Sequence, residues 1–154
     1  MKIIVLAGGL STERDVSLSS AAGICRTLLE KGHDAFLLDV FMGLEHTPEN
    51  LEDVFTLPDH GLDIVKNIST EEPDLAAVKA SRPDQSDCFF GPNVIELCRL
   101  ADITFLGLHG GEGENGKLQA AFDLLGIKYT GPDSLGCAVA MHKALQSRSS
   151  LSPV

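Results

Sequence analysis

The residues best suited to ligand binding or catalysis lie in two glycine-rich segments. The first is Gly8-Gly-Leu-Ser-Thr-Glu-Arg-Asp-Val-Ser17, and the second is His109-Gly-Gly-Glu-Gly-Glu-Asn-Gly116. Glycine lets a backbone approach a ligand closely, and the N-terminus of a helix attracts anions. The carboxylates of Glu13, Glu112 and Glu114 would attract an ammonium group. The two segments together therefore predict a site for a small zwitterion such as an amino acid.

Two of these side chains also have a purely structural interpretation. Glu13 stands at the expected start of a helix, where a carboxylate complements the helix dipole. A lone histidine more often has a structural role than a catalytic one. His109, however, follows a predicted strand directly, and open parallel sheets bind their ligands beyond the carboxyl ends of their strands. We treat both residues as candidates for function and keep the structural alternatives open.

The second segment also has the spacing of two nucleotide-binding patterns. Residues 111–116 spell G-x-G-x-x-G, but Glu112 and Glu114 would repel a pyrophosphate. The same segment followed by Lys117 has the glycine and lysine spacing of a P-loop. Leu118 then stands where the P-loop has the Ser or Thr that holds magnesium. These disagreements argue against nucleotide binding by this segment.

Strand-like and helix-like patterns alternate along the chain, which predicts an α/β fold with a parallel sheet. Short apolar runs predict strands over residues 2–7, 35–40, 103–108 and 127–130. Apolar residues at helical spacing predict helices that begin near residues 12, 94, 117 and 134. Thr12 and Asp15 fit a capping box at the first of these helices. The inner face of the last helix is expected to hold Leu135, Ala138 and Val139, with His142 as a further candidate.

Length, composition and charge exclude several classes of protein. The chain has 154 residues, of which 44% are apolar and 22% charged, as expected for one globular domain with a core. Its net charge of −10 argues against nucleic-acid binding. No apolar run approaches the roughly 20 residues of a membrane helix, and residues 1–9 lack a signal-peptide pattern. We therefore expect a cytoplasmic protein that does not bind membranes.

The middle of the chain is the least patterned region. Residues 41–90 hold 11 acidic and 3 basic side chains and four of the seven prolines. Such a segment is typical of solvated loops, with room for one short strand or helix. Three of the four cysteines, Cys25, Cys98 and Cys137, lie instead in apolar helical patterns and are expected to be buried free thiols. No Cys/His cluster has zinc-ligand spacing, so we expect no metal site.

The two glycine-rich segments resemble signatures of the bacterial D-alanine–D-alanine ligases. Residues 109–116 match the family pattern H-G-x-x-G-E-[DN]-G, and residues 8–17 resemble the segment that ends the first strand of these enzymes. Tyr129-Thr-Gly-Pro132 and Ala140-Met-His-Lys143 align in the same order. The resemblance covers residues 1 to about 143. It implies a Rossmann-like open parallel sheet with helices on both faces, as in the domain that precedes an ATP-grasp unit.

The resemblance also implies a reaction. Enzymes of this family use ATP and Mg²⁺ to activate one D-alanine as an acyl phosphate. The amine of a second D-alanine then attacks, and the dipeptide serves peptidoglycan synthesis in the cell wall. Ligases that take D-lactate or D-serine as the second substrate resemble the same family, and residues 1–143 do not distinguish them.

By the same resemblance, the first D-alanine site takes its residues from both glycine-rich segments. Glu13 would bind the ammonium group of D-alanine and Val16 would contact its methyl group. His109 would help to position the substrate, and Glu13 and His109 are the two candidate catalytic residues. Lys143 matches a lysine that reaches the nucleotide. The remaining expected substrate contacts are Ser17, Gly110 and Gly111.

The resemblance also sets expectations for domain organisation. Residues 1–143 correspond to the N-terminal substrate domain, whereas residues 144–154 read as a disordered or aberrant tail. The central and C-terminal ATP-grasp domains of the family have no counterpart here, and His142 stands where the family usually has Asp. A truncation or a frameshift near residue 142 would account for these departures. We therefore expect the chain alone to lack ligase activity and to bind neither ATP nor Mg²⁺.

Two alternatives and one partner remain open from the sequence. The glycine-rich strand ends also suit a stand-alone module that binds an amino acid or a nucleotide without chemistry. A non-functional fragment with an exposed, adhesive surface is the other alternative. The partner is a second copy of the chain, because members of the family are usually dimers.

Overall fold

A three-stranded parallel sheet forms the centre of the protein in a computed structural model that describes residues 1–44, 47–66, 68 and 72–141. Its strands are β1 (Lys2–Ala7), β2 (Asp34–Asp39) and β3 (Ile103–Leu106), in the order β2-β1-β3. Strand β1 is central and pairs with both neighbours in parallel. Its apolar, β-branched sequence suits burial on both faces. The predicted α/β fold with a parallel sheet is confirmed.

Five α-helices surround the sheet in the described ranges. They are α1 (Arg14–Glu30), α2 (Leu75–Ser81), α3 (Val94–Leu100), α4 (Lys117–Leu125) and α5 (Ser134–Met141). Short 3₁₀ helices cover Leu51–Thr56, Leu62–Val65 and Gly111–Gly113. None of the helices in the described ranges is long and apolar enough to cross a membrane.

The two faces of the sheet bury alternate residues against different helices. Ile3, Val5 and Ala7 share one apolar cluster with α1, whereas Ile4 and Leu6 share the other with α3 and α4. This alternation follows from the period of two along a strand. The predicted arrangement of helices on both faces is therefore confirmed.

Two predicted elements differ from the structure in detail. The predicted strand over residues 127–130 is present only as an isolated parallel bridge between Tyr129 and Thr104. The backbone N–H of Thr104 donates to Lys128, and that of Thr130 donates to Thr104. The chain then turns at Gly131, whose φ is +109°, so the pairing ends after one bridge.

The predicted capping box at the start of α1 is wrong. Glu13 is the N-cap residue, and no side chain caps the helix there. The buried side chain of Arg14 stabilises the start of α1 instead, since its guanidinium donates a 2.8 Å hydrogen bond to the carbonyl of Gly9. An interaction of a buried side chain with the preceding turn replaces the local motif.

The predicted inner face of α5 is also largely wrong. Leu135 is 71% exposed and Ala138 is exposed, while Cys137 is the buried residue of this helix. The N-terminal end of α5 packs closely on Gly116, where a Cβ atom would lie 2.4 Å from the carbonyl oxygen of Ser134. Only a narrow side of α5 therefore faces the domain. His142 lies outside the described residues.

The middle segment covers the free edge of β2. The backbone N–H of Leu37 donates to the carbonyl of His60 at 2.9 Å. A Cβ atom on Gly61 would lie 2.0 Å from the carbonyl oxygen of Leu37, so glycine is required there. Loops, two of the 3₁₀ helices and the short helix α2 make up the described part of this segment. Elsewhere in the domain, the expected burial of Cys25, Cys98 and Cys137 is confirmed, whereas Cys88 is exposed.

Candidate functional site

The two glycine-rich segments meet at one edge of the sheet. β1 and β3 are parallel neighbours, so the loops that follow them leave from the same edge. The hydroxyl of Ser11 donates a 2.7 Å hydrogen bond to the carbonyl of His109. The Oε2 atom of Glu13 lies 2.8 Å from the position that a Cβ atom on Gly110 would occupy. The fold thus brings the candidate residues of both segments together.

Gly110 and Gly111 shape the second loop at this meeting point. Gly110 has φ 69° and ψ 174°, a backbone conformation available essentially to glycine alone. Gly111 has φ 54°. The missing side chain of Gly110 leaves the space that the carboxylate of Glu13 occupies. Both glycines therefore have backbone conformations that favour glycine. Their expected contact with the substrate stays a prediction.

Glu13 and Val16 lie on the same side of the first turn of α1. Residues three apart in a helix are neighbours on its surface. Glu13 is exposed, and Val16 is 60% exposed although it is apolar. His109 is half-buried at the end of the strand-to-loop connection. A carboxylate, an uncovered apolar side chain and an imidazole are therefore available around one edge.

Ser17 lies beneath this edge and joins the two strand ends. It is completely buried, its Oγ accepts from the N–H of Gly8 at 3.0 Å, and its hydroxyl donates to the carbonyl of Gly107 at 2.7 Å. These two bonds use its donor and one acceptor position. These bonds hold β1 and β3 in place under the site. The direct substrate contact expected of Ser17 from the sequence stays a prediction.

A buried ion pair beside the site was missed by sequence reasoning. Arg14 and Asp39 form a salt bridge, with side chains only 11% and 5% exposed. Asp39 is the last residue of β2, and its Oδ1 atom accepts from the N–H groups of Phe41 (2.9 Å) and Met42 (3.1 Å). The available signal was an acidic residue within the apolar run 35–40, together with a basic residue in the first glycine-rich segment.

The described loops do not fit a nucleotide phosphate. The N–H of Gly8 donates to Ser17, and that of Gly9 points to Asp39 at 3.4 Å, so the first turn does not present these groups to an anion. In the second loop, the carboxylate of Glu112 accepts from Asn115 (2.9 Å) and Lys117 (3.0 Å). These two hydrogen bonds hold the pKa of Glu112 below its ordinary value.

The geometry of the second loop supports the interpretation against a dinucleotide or P-loop site. The ammonium group of Lys117 donates a hydrogen bond to the carboxylate of Glu112. The side-chain oxygen of Asn115 accepts from the backbone N–H of Lys117 at the start of α4. Lys143, the predicted nucleotide contact, lies outside the described residues. The described residues also bring together no group of three or more His, Cys, Asp or Glu side chains suited to a metal ion.

A cavity of about 900 Å³ lies beside β2. Arg14 and Asp39 contribute to its wall, together with the carboxylates Asp59, Asp63 and Asp84. The Arg14–Asp39 pair thus forms part of the wall of an acidic cavity beside β2.

Comparison with known proteins gives one family. The sequence model of the family described as D-ala D-ala ligase N-terminus matches residues 2–132 of this chain. A D-alanine–D-alanine ligase of Lacticaseibacillus casei is 47% identical over 145 residues, which are 93% of this chain and 40% of that protein. The chain therefore spans about two fifths of the length of this curated relative.

Solved structures of the same family share the fold. The D-alanine–D-alanine ligase of Coxiella burnetii matches with a TM-score of 0.58 and 26% identity, over 100% of this chain and 43% of that one. The ligase of Bacillus anthracis, solved in complex with ATP, matches with a TM-score of 0.57 and 21% identity. That match covers 96% of this chain and 34% of the Bacillus chain.

Proposed function

The chain belongs to the D-alanine–D-alanine ligase family, whose N-terminal domain it matches, and we propose that it supplies the first D-alanine site of such a ligase. The observation that carries the proposal is the contact between the two strand-end loops. It sets the Glu13 carboxylate beside Gly110, at the edge of the sheet where ligands of parallel sheets bind.

In this proposal each exposed group recognises one part of D-alanine. The Glu13 carboxylate pairs with the ammonium group, and Val16 contacts the methyl group. His109 positions the substrate, and the glycine backbone at Gly110 and Gly111 allows the substrate to come close. Because oriented binding of a reactant contributes much of the rate of such reactions, this domain would act mainly by positioning.

The chemistry of activation would come from the rest of the ligase. In this family ATP gives its terminal phosphoryl group to the D-alanine carboxylate, with ADP as the leaving group, and Mg²⁺ assists that transfer; the described residues of this chain do not fit either group. Lys143 is proposed to reach the nucleotide. We propose that the reaction serves peptidoglycan synthesis in the cytoplasm; the four cysteines of the chain are free thiols, as is usual in a reducing compartment.

We further propose that the 154-residue chain is inactive alone and self-associates. Leu124 on α4 is 90% exposed and Leu135 on α5 is 71% exposed. A partner surface that covered these two side chains would remove apolar area from water. A second copy of the chain is the partner that the proposal names.

A binding titration tests the substrate site. D-Alanine should shift the amide NMR signals of residues 8–17 and 109–116 in the 154-residue chain, and L-alanine should do so more weakly. Glu13→Gln should abolish the D-alanine shifts, because it removes the charge that pairs with the ammonium group. Glu96→Gln, at an exposed carboxylate in the first turn of α3, is the matched control.

Two results would contradict the proposal. Equal shifts with Glu13→Gln and with the unaltered chain would remove Glu13 from the site. Release of phosphate from ATP that depends on D-alanine would show that the chain alone is active, against the proposed inactivity.

A further inference from the structure

We propose that Asp39 is a positioning residue that holds Arg14 away from Glu13, so that the Glu13 carboxylate stays available for an ammonium group. The inference rests on the proposed first D-alanine site. Asp39 ends β2. The proposed substrate contacts come instead from the loops after β1 and β3 and from the start of α1.

The guanidinium of Arg14 is held from two directions. Its Nη2 atom pairs with Oδ2 of Asp39, and its Nη1 atom donates to the carbonyl of Gly9 at 2.8 Å. Measured over the whole residue, Arg14 is 9% exposed and Asp39 is 4% exposed. Because the loss of either partner would leave the other charge buried and unpaired, each charge depends on the other.

Asp39 cannot follow Arg14 if the arginine moves. Its Oδ1 atom accepts from the N–H groups of Phe41 and Met42. Gly8 leaves the room for this carboxylate, since a Cβ atom there would lie 2.7 Å from the Asp39 side chain. Asp39 is thus a fixed anchor at the end of β2.

Without that anchor, Glu13 is an adjacent partner for Arg14. The two residues are neighbours in sequence at the start of α1, and Glu13 is exposed. No basic side chain in the described part of the chain lies within ion-pair distance of Glu13. A guanidinium that left Asp39 for Glu13 would place a cation where the ammonium group of the substrate is proposed to bind.

The cavity beside β2 provides the competing destination. Arg14 lines it together with Asp59, Asp63 and Asp84, so a released guanidinium also has carboxylates on that side. The inference requires that Arg14 turns toward Glu13 instead. A test must therefore report both the affinity for D-alanine and the position of Arg14.

The first measurement is D-alanine affinity by NMR titration of three chains. Asp39→Asn keeps an oxygen for the Phe41 and Met42 N–H groups but removes the charge, and it should weaken binding by about tenfold or more. Adding Arg14→Met to Asp39→Asn removes the competing cation and should restore affinity to within about threefold of the unaltered chain. Unchanged affinity in Asp39→Asn, or no recovery in the double variant, would overturn the inference.

The second measurement follows the guanidinium of Arg14 and needs no ligand. In Asp39→Asn, its N–H groups should exchange with solvent faster than in the unaltered chain, and adding Glu13→Gln should accelerate exchange further. No response to Glu13→Gln would show that Arg14 does not turn to Glu13, and this would overturn the inference. If the unaltered chain does not bind D-alanine, the proposed function fails while this measurement still decides the inference.

A measurement on the unaltered chain applies even if Asp39→Asn does not fold. The guanidinium N–H groups of Arg14 should exchange with solvent at least about tenfold more slowly than those of the exposed Arg26, because they are hydrogen-bonded and buried. Equal exchange rates at the two arginines would show that Asp39 does not hold Arg14, and would overturn the inference.

Discussion

The Oγ atom of Ser11 donates a 2.7 Å hydrogen bond to the main-chain carbonyl of His109, which lies 98 residues further along the chain. This bond joins the loop after β1 to the loop after β3. Every substrate contact proposed for the site comes from one of these two loops or from the start of α1, so the relative position of the loops decides whether those contacts can act on one ligand.

Replacing Ser11 should loosen the site. Ser11→Ala removes the donor and leaves the His109 carbonyl without this partner, so the free energy of unfolding should fall by about 1 kcal/mol. The affinity for D-alanine should fall as well. Ser19→Ala, at an exposed serine within α1, is the control; it should leave the affinity unchanged and should not lower the free energy of unfolding, because alanine favours the helix. Urea unfolding and NMR titration check the prediction, and equal behaviour of the two variants would contradict it.

Gly110→Ala should be more damaging. The new Cβ atom would lie 2.8 Å from the Glu13 carboxylate, in a backbone conformation with φ 69°. The backbone strain alone should lower the free energy of unfolding by about 1–3 kcal/mol. Gly23→Ala is the control, because Gly23 is helical and has open space around it; it should instead stabilise the chain by about 0.5–1 kcal/mol. A neutral or stabilising Gly110→Ala would contradict the described loop.

The four thiols should differ sharply in reactivity. Cys88 is exposed, whereas the other three are buried. Burial raises the pKa of the Cys25 and Cys98 thiols to about 11, and it also raises the pKa of Cys137. Because the thiolate is the reactive form, a disulfide reagent at neutral pH should modify Cys88 rapidly and the others only after denaturant is added. Cys88→Ser should remove the rapid phase, and a rapid phase that survived would contradict the prediction.

Tyr129 should lose its phenol proton at a higher pH than an ordinary tyrosine. Burial, followed by the hydrogen bond to Asp123, raises the pKa of Tyr129 to about 12. The folded state therefore favours the neutral phenol. This stabilisation is fully present below pH about 10, the pKa of an unfolded tyrosine, and is lost as the pH rises toward 12.

Phenolate absorbance measures this titration without ambiguity, because the chain has one Tyr and no Trp. Asp123→Asn should move the midpoint down toward the ordinary value, since it removes a negative acceptor. Glu30→Gln, at an exposed carboxylate at the end of α1, is the control and should leave the midpoint unchanged. A midpoint near 10 in the unaltered chain would contradict the prediction.

Self-association should depend on the exposed leucines of α4 and α5. Replacing Leu124 and Leu135 together by Ser should shift the chain toward the monomer, because it removes apolar surface that a partner would cover. Sedimentation velocity over a range of protein concentrations measures the change. Ala76→Ser on the exposed face of α2 is the control. Association that is unaffected by the leucine substitutions would contradict this prediction, because the contact would then lie on another surface.

Local patterns predicted the sheet well because they depend on neighbouring residues. The run of residues 2–7 is apolar on both strand faces, which is the requirement for a central parallel strand. The same reasoning failed at the start of α1 and on α5. At these places a long-range contact decided the outcome, between Arg14 and Gly9 in one case and around Gly116 in the other.

The sequence alone determined the fold class, the two glycine-rich loops and the family to which the chain belongs. These features are written in residue types and short spacings, and each can be read without knowing what lies across the fold. They also placed Glu13, His109 and Gly110 among the residues of one predicted site.

How these residues are held depends on contacts between distant parts of the chain. The tertiary structure buried Ser17 between two strands, and it paired Arg14 with Asp39, a residue 25 positions away. It also set the Glu13 carboxylate in the space left by Gly110. The physical reason is that burial and ion pairing depend on which groups face each other across the sheet, and a side chain's type does not specify its partner.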